Sequence, residues 1–325
     1  MDTERLIKSV IRSIMCLAGI IGNNWLCISS LPKSISQLRP SDVLFINLAV
    51  SNLITNYLVD VLNIFHTEQY IPAGKVFCSI RFFLPELSET SSILTTMFIT
   101  MFWHQKLVGS LKRGGAPVQM DNLQFITVML TGSWSFSLVL NISHLFFVAT
   151  INENVTTAEC KEVLPSPEAD QAYKVVYITL ANVFPLIGIL YASIQITVTL
   201  LQNEKRMKKM GVAVRNGGNT GAGKSGNNTN NESTVKLSKS QAKTGSLVRA
   251  AKSVVAVAIL FLLCWVIHIN IIIISSISPT SVTEDIESFV GASYTCIIPY
   301  IYLYGVQKLT CSRGSGRVMG RVVSQ

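Results

Sequence analysis

Asp60, Arg81, Glu86, Glu89 and His268 each interrupt a long apolar run of the chain. Ionisable groups so placed are costly, and they usually pair with one another, face a wet cavity or meet a polar ligand. Glu86 and Glu89 are three residues apart, so on a helix they share one face, with Arg81 about a turn from Glu86. Pro85 removes a backbone donor beside them and kinks such a helix. Two readings follow. Either these groups form a polar patch for a small polar or charged ligand, or Arg81 pairs internally with Glu86 or Asp60 and the set only holds helices together.

The other reactive residues assemble no catalyst. His66, His104, His144 and His268 are scattered over four runs without metal-ligand spacing, and no Ser/His/Asp or paired-carboxylate set is evident. Neither a catalytic residue nor a metal or other cofactor is therefore expected. Gly218 to Ser225 satisfies the P-loop pattern letter for letter, but that loop needs a strand before it and a helix after it to aim backbone N–H groups at phosphate. Here it lies in a Gly-, Asn-, Ser- and Lys-rich stretch, 211–245, too polar to bury a core and expected to be disordered.

Seven apolar runs must position the ionisable residues: 6–30, 43–65, 79–107, 123–150, 173–201, 250–278 and 286–306. Each has about 20 or more residues, the length a helix needs to cross a hydrocarbon core of about 30 Å. Apolar residues make up 49% of the 325-residue chain and charged ones 14%, with a mean hydropathy of +0.43, which leaves too little polar material to cover a soluble domain. The expected fold is all-α: a seven-transmembrane helix bundle over 1–307 in the lipid bilayer, with a short basic tail at 308–325. Arg5, Lys8 and Arg12 before the first run resemble the start of a signal peptide. The run nevertheless continues through Trp25 to Ser30 without a small-residue cleavage site, which makes it the first span.

Basic residues set the orientation. Lys33, Arg39, Lys106, Lys112, Arg113, the Lys- and Arg-rich third loop and the tail fall on one side, so the positive-inside rule places the N-terminus outside and the C-terminus in the cytoplasm. The net charge of +9 is then a topology signal, with no nucleic-acid partner expected. Cys78 and Cys160 both lie outside, where a disulfide persists, and are expected to be bridged. Asn154-Val155-Thr156 is a glycosylation acceptor in the same outer loop. Cys311 is expected either palmitoylated or as a free thiol.

Individual spans carry a family pattern in order. Gly22-Asn23, Leu48-Ala49-Val50-Ser51-Asn52, Trp134, Pro185, Cys264-Trp265 and Pro299-Tyr300-Ile301-Tyr302 resemble, one per helix, the motifs of rhodopsin-like G protein-coupled receptors. Asn52 replaces the usual Asp, Ile267 the sixth-helix Pro and Ile298 the Asn before Pro299, and Phe102-Trp103-His104-Gln105-Lys106 stands where Asp-Arg-Tyr is usual. That set, with Gly115-Ala116-Pro117-Val118, resembles the type-1 vomeronasal receptors, and most closely the fish olfactory receptor class A-related receptors.

The resemblance implies a plasma-membrane receptor of chemosensory neurons. It would detect a small molecule, a pheromone among the candidates, in the outer bundle near Asp60, Arg81, Glu86, Glu89 and His268, and signal through an inhibitory-type heterotrimeric G protein. It also implies switching roles for Asn23, Asn52, Trp265, Pro299 and Tyr302, while His104 and Lys106 occupy the switch region with their role open. A bitter-taste-type receptor is the alternative within the class; a transporter would need a polar path through the midplane, where these runs are apolar.

Overall fold

A backbone in lipid has no hydrogen-bond partner but itself, and the apolar runs meet that constraint as helices. The computed structural model describes residues 3–61, 64, 74–111, 118–154, 157–217, 230–277, 289–290 and 292–304. Helix α1 spans Thr3–Ser30, α2 Pro40–Ile54 with a π segment Thr55–Asp60, α3 Lys75–Leu111 and α4 Leu123–Asn141. Helix α5 runs as Pro167–Tyr177, a π segment Ile178–Val183 and Phe184–Gly217. Helix α6 spans Asn230–Ile277 and α7 covers 292–304. Local chemistry sets several of these starts. Pro40 and Pro167 sit in first turns, where a missing N–H costs nothing, and the Asn122 and Ser166 side chains accept from the Gln124 and Ala169 N–H groups.

Among the described residues, five stretches suffice by length and composition to cross a membrane: Leu6–Ser30, Pro40–Asp60, Leu123–Asn141, Pro167–Met207 and Leu247–Ile271. The 37 residues of α3 reach about 55 Å, more than a membrane core requires, although ionisable residues interrupt them. An apolar core that includes Leu26, Leu48, Ile93, Phe261 and Tyr302 encloses polar side chains as well. Ser88, Thr90, Ser91, Thr95, Thr96 and Thr100 of α3 are fully enclosed, while Ile28, Val139, Ile187 and Leu263 face outward.

Side-chain hydrogen bonds stitch α2, α3 and α4 together. Asn47 donates to Thr95 at 2.7 Å and accepts from the Trp134 indole at 2.9 Å; Thr55 donates to Ser88 at 2.9 Å, and Ser51 and Ser91 share a bond of 2.9 Å. Bonds of this kind average about 0.6 kcal/mol in membrane bundles, so stability comes from the set. Close approach does the rest. A Cβ on Gly22 would stand 2.8 Å from Pro299 Cγ of α7, and one on Gly19 would stand 2.8 Å from the Asn56 amide. Glycine at these two positions lets α1 seat against α7 and α2.

Several boundaries differ from the sequence expectation. The fourth run leaves the helix at Asn141; after one turn, Ser143–Phe146, β1 (Val148–Asn154) pairs antiparallel with β2 (Thr157–Glu162). Val148, Thr150 and Ile151 are β-branched, which suits a strand over a helix. Thr150 faces Cys160 in the register, and Cys160 is joined to Cys78 of α3 with their Cα atoms 5.4 Å apart. The stretch 211–245, expected to be disordered, is helical through Gly217 and again from Asn230, because α5 and α6 extend past their apolar parts. The P-loop-like segment from Gly218 to Ser225 lies outside the described residues, as do His66, Cys311 and the tail 308–325. Asn154 closes β1, while Val155 and Thr156 also lie outside the described residues.

Candidate functional site

Two irregularities shape the interior of the bundle. The π segment Thr55–Asp60 crowds an extra residue into a turn of α2, a distortion frequent at functional sites, and brings Thr55, Val59 and Asp60 to one wall. Pro85 leaves the Arg81 carbonyl without its helical donor, and Ser88 Oγ donates to the Pro85 carbonyl at 3.0 Å. Between α2, α3, α6 and α7 lies a cavity of about 340 Å³. Its α3 wall, Pro85 to Ile93, lies about 10 to 22 Å along the helix from Cys78.

The cavity brings together four of the five ionisable residues singled out from sequence: Asp60, Glu86, Glu89 and His268 all line it. Arg81 does not; it is exposed on α3, off the cavity wall. Asp60 accepts from the Asn56 amide at 2.9 Å, and the charge of Arg12 on α1 acts on it. The Arg12 guanidinium also lies 5.2 Å over the Phe289 ring. Glu89 Oε1 stands 3.8 Å from His268 Nε2, and the His268 ring meets Trp265 edge to face at 4.7 Å. Glu86 Oε2 is shut off from solvent and accepts no hydrogen bond, with Tyr177, His144 and Glu162 in its surroundings. His144 is itself held by Tyr173, 2.7 Å away, with Glu162 of β2 at 3.0 Å. The hairpin, the turn Ser143–Phe146, α5 and α3 thus converge beside the cavity.

Its floor is a polar network. Asn52 donates to Asn23 at 3.1 Å and accepts from Ser92 at 2.8 Å, and Ser92 and Thr96 flank the Tyr294 hydroxyl at 2.7 and 3.0 Å. Asn23 donates to the Thr295 carbonyl at 3.0 Å and to Asn56 Oδ1 at 3.3 Å. Asn56 Nδ2 also donates to Thr295 Oγ1 at 3.3 Å, so one amide connects Asp60 in the cavity wall with α1 and α7. Trp265 packs on Phe261 at 5.7 Å, and Phe261 on Tyr294 at 5.0 Å. Further along α7, Pro299 is buried against Gly22 and Tyr302 packs 5.0 Å from Phe45, its hydroxyl buried without a hydrogen bond. At the far end of α3, His104 faces the Tyr191 ring at 6.2 Å, and Lys106 pairs with Asp121 before α4.

Arg12, Asn56, Tyr294 and Thr295 belong to this constellation but were not singled out from sequence. A signal for Asn56 was present: Asn52, Asn56 and Asp60 follow one another at helical i, i+4 spacing. Arg12 lies well inside the first apolar run, where a cation needs a partner. To a guest molecule the wall offers three carboxyl groups, an imidazole, an indole and apolar packing from Val59, Ile93 and Val290.

Residues 23–302 match the family described as 7 transmembrane receptor (rhodopsin family). Relatives include a rhodopsin of Procambarus orcinus, 26% identical over 64% of this chain and 68% of that protein, and a rhodopsin of Cambarus maculatus, 25% identical over the same shares. The tachykinin-like peptides receptor 86C of Drosophila melanogaster is 22% identical over 58% of this chain and 38% of its own length.

Proposed function

The chain belongs to the rhodopsin family of seven-transmembrane receptors, and from that premise we propose that it is a chemosensory receptor whose ligand binds in the cavity between α2, α3, α6 and α7. Family membership makes it a multi-pass plasma-membrane receptor, not an enzyme, that answers a ligand by engaging a heterotrimeric G protein. The finer assignment to olfaction or pheromone detection rests on the departures from the usual motifs at Asn52, Ile267, Ile298 and 102–106, which resemble the type-1 vomeronasal and fish class A-related receptors. In this reading the N-terminus, the hairpin and a glycan on Asn154 face outside, chemosensory neurons express the receptor, and the G protein is of the inhibitory type.

The cavity is the observation that carries the proposal. At about 340 Å³ it falls at the small end of ligand pockets, and it combines apolar walls with a few convergent polar groups, the composition such pockets share. Ligand binding favours an active arrangement only by fitting it better than the resting one. Trp265 touches both the His268 of the wall and the Phe261–Tyr294 stack, and Asn56 joins Asp60 to the Asn23–Asn52 floor, so a guest can bias α6 and α7 directly. The test is to express the receptor with a promiscuous G protein, screen amines, organic acids, amino acids and steroids, and repeat the hits with Ile93→Trp, which fills the cavity. An agonist whose potency is unchanged in that variant refutes the site. A bitter-taste-type receptor is the alternative, and expression in taste tissue but not olfactory tissue favours it.

A further inference from the structure

We infer that the cavity takes a small organic cation, an ammonium group on an apolar body, and that Glu86 receives the charge; this rests on the cavity being the ligand site. The acidic and basic side chains on the described wall are three carboxyl groups, Asp60, Glu86 and Glu89, and the His268 imidazole. Asp60 is already engaged by Asn56 and by the charge of Arg12, and Glu89 lies beside His268. Glu86 differs from both. Its Oε2 is enclosed and closes no hydrogen bond; the buried Tyr177 hydroxyl and His144 act on the carboxyl group and offset only part of its desolvation. His144, the nearby imidazole, is taken up by Tyr173 and Glu162.

An ammonium guest supplies Oε2 with a donor and the carboxyl group with a full countercharge, and a charge-assisted hydrogen bond is the stronger kind. A carboxylate guest would instead meet three acidic side chains, since Arg81 lies off the wall. The remainder of the wall suits the body of such a molecule. Val59, Ile93 and Val290 are apolar, and the Trp265 indole adds a face that attracts cations.

The test uses the full chain purified in lipid nanodiscs and matched guests that differ only in the polar head. The triads are 2-phenylethylamine, 2-phenylethanol and phenylacetate; tryptamine, indole-3-ethanol and indole-3-acetate; and hexylamine, hexanol and hexanoate. Thermal stabilisation and G protein activation are read for each guest at one ionic strength, with sodium chloride alone as a further arm. The expected result is that amines stabilise and activate while their alcohol and acid partners do not. Glu86→Gln should weaken the amines at least tenfold and, because it removes a buried carboxylate that closes no hydrogen bond at Oε2, should not lower the melting point of the unliganded receptor. Equal binding of alcohols or acids, no binding by any amine, stabilisation by sodium alone, or amine potency unchanged in Glu86→Gln each overturns the assignment. The wild-type comparison of heads holds even if the variant folds poorly. If a neutral or acidic guest binds and Ile93→Trp abolishes it, the cavity stands and the cation falls; if Ile93→Trp leaves it bound, the cavity reading falls as well.

Discussion

Replacing Asn56 with Ala tests whether the floor of the cavity is held together by one amide. That side chain donates to Asp60 at 2.9 Å and to Thr295 Oγ1 at 3.3 Å, and accepts from Asn23 at 3.3 Å. The two contacts to other helices are worth about 0.6 kcal/mol each in a membrane protein. The third leaves a carboxylate oxygen short of a donor, which costs about 1–3 kcal/mol. The sum is about 2–4 kcal/mol, and the charge of Arg12, which still acts on Asp60, places the outcome in the lower half. About 2 kcal/mol is a thirtyfold change in a folding equilibrium. The measurement is the thermal melt of purified receptor beside Asn24→Ala, whose bond to Tyr57 is exposed and whose loss should move the melt little. A double-mutant cycle with Thr295→Val should show coupling between the two positions. If Asn56→Ala melts with the wild type, or the cycle is additive, the floor is not held by this amide.

Gly22→Ala forces a Cβ to within 2.8 Å of Pro299 Cγ and should cost about 1–3 kcal/mol, read as lower folded yield and melting point, whereas Gly132→Ala, with open space around it, should not. Cys78→Ser should lower the melting point and make it insensitive to reductant; closing a loop of 82 residues is worth at most about 4.5 kcal/mol, less where unfolded spans stay in the membrane. The Lys106–Asp121 pair is partly exposed, so a double-mutant cycle should give a coupling below about 1 kcal/mol. Asn154→Gln should abolish a glycosidase-sensitive gel shift of the receptor made in cells, and a wild type that shows no shift argues against an outer hairpin.

Much of the bundle was legible because lipid imposes a length on every span and an apolar character on its outward face. The ionisable residues were legible for the same reason: Asp60, Glu86, Glu89 and His268 stand out against an apolar background, and all four meet in the cavity. Arg81 stood out equally, yet it lies off the wall, because helical spacing fixes which residues share a face but not where that face points. The π segments were not legible: an inserted residue in a turn leaves no mark in a pattern of apolar letters, although Pro185 stands just past the end of one of them. The hairpin was hidden too, since 148–151 is apolar enough to pass for the end of a span. Arg12 was grouped with Arg5 and Lys8 as basic residues ahead of the first span, when its distance into the run already called for an acidic partner.

The Cys78–Cys160 bond also alters what counts as one molecule. It turns the stretch holding most of α3, all of α4 and most of the hairpin into a covalent ring of 82 residues' separation, from which the two ends of the chain emerge. A protease that cuts between α3 and α4 opens that ring without releasing a fragment, and the nicked receptor travels as a single species until it is reduced. A cut between α5 and α6 falls outside the ring and separates the chain at once under denaturing conditions. Limited proteolysis with and without reductant therefore distinguishes the two sites by electrophoresis alone.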